Sequence, residues 1–321
     1  MKRFRKILVG VDLSDEERYV AAEPCAATRA AIDKALWLAA KTGAQVTFLA
    51  AVMPDYSRFA GGPEEKTEGE FVYDDARERL RQFRDEAESR GVTSDIVCTC
   101  GAPSHELIRA VVESDHDLVL VGSHRRHGPQ RVILGSTGKK LMRDCPCPVW
   151  ATSPHEGGAV RTILAATDFS EVSDRAVELA ASLADQFDAE LHIFHSVPAF
   201  ADSTYRGIPL PAMEGDSWQA RADVHAREEL DDVLSRLSLT ESIDEAHQHL
   251  ATGPAHLTIQ AAVQNLNVDL LVMGTAARHG LSGLVIGNTA ERLLPRLTCS
   301  VLAVKPEGYR SGIQPRPVAE Q

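Results

Sequence analysis

Asp117-Leu-Val-Leu-Val-Gly122 and Asp269-Leu-Leu-Val-Met-Gly274 are one phrase written twice. Behind each copy, at a constant offset of 152, come Arg126-His127-Gly128 and Arg278-His279-Gly280, Gly135 and Gly287, Thr137 and Thr289, Leu141 and Leu293, Cys147 and Cys299, and Val149 and Val301. A match this long without insertion or deletion marks one duplicated supersecondary unit, so a functional site is expected twice. The unbroken apolar run between Asp and Gly has the character of a strand buried on both faces.

Working outward, both halves open with an apolar run that ends in Asp: Ile7-Leu-Val-Gly-Val-Asp12-Leu-Ser14 and Ile163-Leu-Ala-Ala-Thr-Asp168-Phe-Ser170. Alanine-rich amphipathic helices follow at 29–41 and 173–186, then second strands at 45–52 and 190–197. Irregular stretches at 54–70 and 198–216 exceed the usual connection length and read as covers or partner surfaces. Charged helices at 74–90 and 217–237 lead to third strands near 94–99 and 243–249. A further helix begins after Gly101-Ala-Pro103 and after Gly253-Pro254. The repeated phrase is the fourth strand, a fourth helix starts at Ser136 or Asn288, and the last strands lie at 148–152 and 300–304. Apolar strands separated by helices indicate a parallel sheet covered on both faces. The expected fold is α/β, two tandem doubly wound five-stranded parallel-sheet domains of Rossmann-like type. The expected boundaries are 1–152 and 160–305, with a linker at 153–159 and a poorly ordered tail at 306–321. In such a sheet the ligand crevice lies at the carboxyl ends of the strands where their order reverses, between the loops after strands one and four. Asp12 and Gly122 end those strands in the first half, and Asp168 and Gly274 in the second.

The bulk numbers agree with two ordinary cores: 321 residues, 44% of them hydrophobic. A formal net charge of -12 opposes binding to polyphosphate backbones, so a nucleic-acid partner is not expected. The apolar run after Met1-Lys-Arg-Phe-Arg-Lys6 covers only 7–11, too short for a secretory or membrane segment, and the expectation is a soluble cytoplasmic chain. Six scattered cysteines form no disulfide framework.

Thr167-Asp168-Phe-Ser170, Gly274-Thr through Ile286-Gly287-Asn-Thr-Ala-Glu291, and Cys145-Pro-Cys-Pro-Val149 together resemble the universal stress protein family, over about nine tenths of the chain. Two such domains in one chain, the first ending in Pro-Val-Trp150 and the second in Val304-Lys-Pro306, are similar to tandem E-type members. The resemblance implies a pseudo-dimer of the two domains packed through their last strands. It also implies an adenine-nucleotide loop of the form G-x2-G-x9-G-[ST] after strand four, with the Asp ending strand one on the adenine side. The family contains many members that do not bind ATP. The spacing has its own physical sense: glycines let the backbone approach a phosphate, and a helix start presents N–H groups and a positive dipole end to the anion.

Both loops depart from that pattern. The first reads Gly122-Ser-His-Arg125, then nine residues, then Gly135-Ser136-Thr137. Arg125 replaces the second glycine, and either obstructs the loop or serves as a phosphate fork with Arg126 and Arg131 nearby. The second reads Gly274-Thr-Ala-Ala277, nine residues, then Gly287-Asn288-Thr289. Here Ala277 is a mild replacement, while the hydroxyl after the last glycine has become an amide. A plain structural reading stands beside each. Ser136 and Asn288 are ordinary helix N-caps, Asn288-Thr-Ala-Glu291 is a capping box, and Asp12 and Asp168 start Asp-x-Ser turns.

Other constellations are set aside. Cys98, Cys100, Cys145, Cys147, His124 and His127 lack zinc-ligand spacing, so no metal is expected beyond a nucleotide-borne Mg. Gly135-Ser-Thr-Gly138-Lys139-Lys140 is no Walker motif, and no nucleophile elbow or carboxylate pair is visible. His192 and His195 lie on opposite faces of strand two by parity, at least one of them facing solvent or an interface. The expectation is a non-enzymatic stress-response protein regulated by an adenine nucleotide or other phosphorylated ligand, ATP foremost, in one domain. The alternatives are a slow nucleotide hydrolase or a ligand-free scaffold acting through partner contacts, and pairing of the tandem chain into a homodimer is left open.

Overall fold

The computed structural model describes residues 4–14, 20–21, 23–52, 68–123, 134–153, 160–199, 215–275 and 287–316. They fall into two compact units, one holding the described residues up to 153 together with 308–316, the other 160–307.

In the first unit the strands are β1 (Lys6–Gly10), β2 (Gln45–Val52), β3 (Ser94–Cys100), β4 (Leu118–Gly122) and β5 (Val149–Thr152). They are parallel and ordered β3-β2-β1-β4-β5. The helices are α1 (Ala26–Thr42), α2 (Glu68–Ser89), α3 (Pro103–Ser114) and α4 (Ser136–Asp144). Ile7, Leu8 and Val9 and Leu118, Val119 and Leu120 are fully buried because helices cover both sheet faces. Edge strand β3 instead shows alternating exposure. Arg29 on α1 reaches Glu86 on α2 at 2.5 Å, so these two helices share a face, while α3 and α4 pack together.

The second unit repeats the plan with β6 (Thr162–Thr167), β7 (Glu190–Val197), β8 (Gln248–Thr252), β9 (Leu270–Gly274) and β10 (Ser300–Val304), ordered β8-β7-β6-β9-β10. Its helices are α5 (Glu171–Phe187), α6 (Gly215–Arg236), α7 (Ala255–Asn265) and α8 (Asn288–Leu293). Arg236 on α6 pairs with Asp174 on α5 at 2.6 Å, the same helix-to-helix tie in the second copy.

The aspartates of the duplicated phrase are structural. Asp117 accepts the backbone N–H groups of Arg5 and Lys6 at 2.8 and 3.0 Å, and Asp269 those of Arg161 and Thr162 at 2.7 and 3.0 Å. Each carboxylate thus fastens the start of the first strand to the start of the fourth, satisfying donors that the ladder leaves over.

Three expectations change. The third strand of the second half starts at Gln248, because 245–247 close a 3-10 turn. Residues 308–316 are held onto the first unit: Tyr309 donates to the Arg143 carbonyl at 3.2 Å, and Arg316 reaches buried Glu106 at 2.5 Å and Thr99 at 2.8 Å. His192 and His195 do lie on opposite faces, but both are 7% exposed, since both faces are covered. Among the cysteines, Cys145 and Cys147 are core while Cys100 is exposed on the edge strand.

Candidate functional site

Each unit forms a crevice at the carboxyl ends of its strands, where the order reverses between the first and fourth. The first, about 380 Å³, gathers Asp12, Gly122, Gly135, Ser136 and Thr137. The second, about 450 Å³, gathers Asp168, Gly274, Gly287, Asn288 and Thr289. Residues more than a hundred positions apart are thus brought together as the topology requires. Arg125 and Ala277 lie outside the described residues, as do most of the stretches 54–70 and 198–216.

Asp12 and Asp168 are held alike. Asp12 Oδ1 accepts from the Ser14 amide at 3.1 Å and its hydroxyl at 2.6 Å; Asp168 Oδ1 accepts from the Ser170 amide at 3.2 Å and hydroxyl at 2.5 Å. The Asp-x-Ser turn is therefore real in both halves, and it fixes a carboxylate at the mouth of each crevice.

The helix-cap reading is corrected. Gly135 and Gly287 occupy the N-cap positions of α4 and α8, with no side-chain cap bond in either. Ser136 and Asn288 are the first helical residues, and Glu291 stands four beyond the cap, one too far for a capping box. Among the described residues, a Cβ added at Gly135 would meet nothing within 4 Å.

Gly122 and Gly274 owe their identity to packing. A Cβ at Gly122 would stand 2.5 Å from the Ala27 carbonyl carbon and 2.7 Å from the Thr28 amide nitrogen, because the start of α1 presses against the end of β4. At Gly274 the nearest atom is Val172 Cγ1 at 3.0 Å.

The walls differ. The first crevice has Leu49, Ala50, Ala51, Val52 and Leu107, an apolar strip. The strand registers place His195 of β7 where β2 has Ala50, and Ser196 where it has Ala51. His195 donates Nδ1–H to the Thr167 carbonyl at 2.9 Å and stacks on Phe169 at 4.0 Å between ring centroids. Ser196 donates to the Gly253 carbonyl at 2.8 Å. The helices facing the crevices differ too: Ser170 caps α5, accepting from the Ser173 amide at 3.3 Å, and Glu171 and Asp174 stand in its first turn. α1 has neither a side-chain cap nor an acidic residue there. Parity placed His195 on a sheet face, but its stack on Phe169 depends on a left-handed turn, φ 65° at Phe169, that the sequence does not announce.

The family model described as the universal stress protein family matches residues 3–153 and again 159–305. The chain is 28% identical over 220 residues to universal stress protein E of Salmonella typhi, covering 66% of this chain and 68% of that protein. It is 23% identical over 316 residues to the universal stress protein E homolog of Haemophilus influenzae, covering 95% and 98%. Among solved structures, a universal stress protein from Archaeoglobus fulgidus aligns over 94% of this chain and 98% of its own, with a TM-score of 0.65 at 20% identity, a likeness of fold. Two matches of one family model, on two copies of one parallel-sheet domain with the crevice at the same switch point, place this chain in the universal stress protein family as a tandem, E-type member.

Proposed function

We propose that the chain is a non-enzymatic stress-response protein of the cytoplasm that takes an adenine nucleotide, ATP foremost, in its first domain as a regulatory ligand. Family membership supports the stress-response role. The observation that carries the assignment to the first domain is the polarity of its crevice from end to end. Its apolar strip suits a flat heteroaromatic ring, and its far end brings Ser136 and Thr137 at the uncapped start of α4. The amino end of α1, which has no side-chain cap and no acid in its first turn and whose Thr28 lines the same crevice, adds to the attraction for an anion. In the second crevice His195 and Ser196 interrupt the strip, and Glu171 and Asp174 already offset the helix dipole.

The non-enzymatic part rests on the lining. Asp12 is the sole ionisable residue among the described residues of the first crevice, and its Oδ1 is committed to the Ser14 turn. The described lining therefore holds no paired acid and base for hydrolysis. No described helix is long and apolar enough to cross a membrane. The pairing of the two domains as an intramolecular pseudo-dimer belongs to the same proposal and rests on the duplication.

The test is calorimetric titration of the full chain with ATP, alongside phosphate release. One equivalent bound without release above background supports the reading. Turnover favours the hydrolase, and no heat at roughly millimolar ATP favours the scaffold. Arg125→Gly then decides that residue's role, since affinity rises if Arg125 obstructs the loop and falls if it is a phosphate fork.

A further inference from the structure

A second polar cluster lies at the opposite end of the second sheet, where β7 and β8 begin. Glu190 opens β7 and His192 follows two residues on, so both side chains leave the same face. The 3-10 turn at 245–247 delivers His247 to the foot of β8, and His249 is the second residue of that strand. One donor atom from each of Glu190, His192 and His247 lies within 4.8 Å of the others. His192 Nε2 is 3.9 Å from a Glu190 carboxylate oxygen. The His192 ring lies 4.8 Å from that of His247 and 5.1 Å from that of His249, centroid to centroid.

Apolar packing does not call for three imidazoles here, because each buried ring nitrogen carries a desolvation cost unless it is bonded. The geometry points to a metal site: we propose that Glu190, His192 and His247 bind a divalent first-row ion of the Zn2+ class, with His249 as the outer partner that orients His192. His192 Nδ1 is 3.1 Å from His249 Nε2. With the proton on Nδ1 and donated to His249, the lone pair of His192 sits on Nε2, the nitrogen that faces Glu190. Imidazole with one carboxylate suits Zn2+, Ni2+ or Cu2+ better than Mg2+ or Ca2+, which prefer oxygen alone.

Bonds of about 2.0–2.1 Å in a tetrahedral site put donors roughly 3.3 Å apart, so the cluster must tighten by about 1.5 Å at its widest. Glu190 can supply its share of that move, its side chain being 70% exposed. A cavity of about 280 Å³, lined by Glu190, His247 and Asp244 but not by His192, adjoins the Glu190 and His247 side of the cluster and has room for water. Among the described residues the first domain has no such set. Gln45 and Thr47 stand where β7 has Glu190 and His192, Gln45 donates to Asp95 at 2.5 Å, and the Thr47 hydroxyl bonds His116.

The test uses the chelator-stripped full chain, titrated with Zn2+ by calorimetry and with Co2+ by visible absorption. The expected result is one equivalent, with Co2+ bands of low-coordinate type and no thiolate-to-cobalt absorption. His247→Ala and Glu190→Gln should each weaken binding at least tenfold. Glu190→Gln, at an exposed position, guards against mistaking a folding defect for a lost ligand. No binding at roughly millimolar metal, a thiolate absorption, or a loss under tenfold in either variant overturns the proposal.

Discussion

The two crevices share a switch point, an Asp-x-Ser turn and a glycine at the end of the fourth strand, yet they offer different surfaces. The first is apolar along β2 and faces helix starts without side-chain caps; the second carries His195 and Ser196 along β7 and faces a capped, acidic first turn in α5. Duplication preserved what the fold needs, namely the turn, the packing glycine and the clamp by Asp117 or Asp269. It left free what a ligand would touch.

The largest break in that comparison should come from the glycines. Gly122→Ala forces a Cβ into the backbone of Ala27 and Thr28, which cannot yield without moving α1, and should cost near or above the top of the ~1–3 kcal/mol range for overpacking. Gly274→Ala meets the end of the Val172 side chain, which can give by a few tenths of an ångström, and should fall at the bottom of that range. Urea unfolding of both variants measures the difference, and equal losses would show that the two helix approaches are alike after all.

Next in size is a shared effect. Asp117→Ala and Asp269→Ala each remove two charge-assisted bonds to backbone N–H groups and should destabilise their own domain by about 1.5 kcal/mol apiece. Denaturant midpoints that move in one variant alone would contradict the view that the clamp was duplicated intact.

The ligand comparison is sharpened by transplanting a wall residue. Ala50→His gives the first crevice the second one's polar strip and should weaken ATP binding about tenfold, near 1.4 kcal/mol, as read by titration of the full chain. Unchanged affinity would remove the apolar strip from the argument.

The smallest effect is in pH. His116, bonded to the Ala110 carbonyl at 3.0 Å and the Thr47 hydroxyl at 3.1 Å, is held below the ordinary histidine range chiefly by burial, with Lys6 adding to the depression and Asp115 and Asp117 opposing it. The unfolded chain therefore takes up the proton first. The stabilisation is complete above the unfolded value of about 6.5 and is lost as pH falls through the lower folded value. The position offset by 152 is Val268, so this acid loss belongs to the first domain. A denaturant series between pH 7 and 5 should show it in the parent and show it diminished in His116→Gln.

Much of this was legible in the sequence. The strands at 45–52, 190–197 and 300–304 match their residues end to end, because an apolar run bounded by polar turns leaves little choice of register or face. Asp12, Asp168, Gly122 and Gly274 were also legible as crevice residues, since doubly wound topology forces those strand ends together. The caps were not. Asn288 and Glu291 fit a capping pattern by spacing, but the helix starts one residue earlier than that pattern requires, a matter of backbone angles at Gly287. Nor was the docking of the tail, in which Arg316 finds a carboxylate 210 positions away that is 5% exposed.

The sequence by itself determined the duplication, the parallel five-stranded domain and the place of the crevice, because periodicity and the glycine and aspartate signals are local and repeat. Tertiary structure alone decided which side chains from distant segments share a surface. His192 meets His247 across 55 positions and His195 lies flat on Phe169 because β8 and the turn after β6 are set by long-range pairing and a single left-handed residue. Such meetings depend on packing in three dimensions, and no spacing along the chain encodes them.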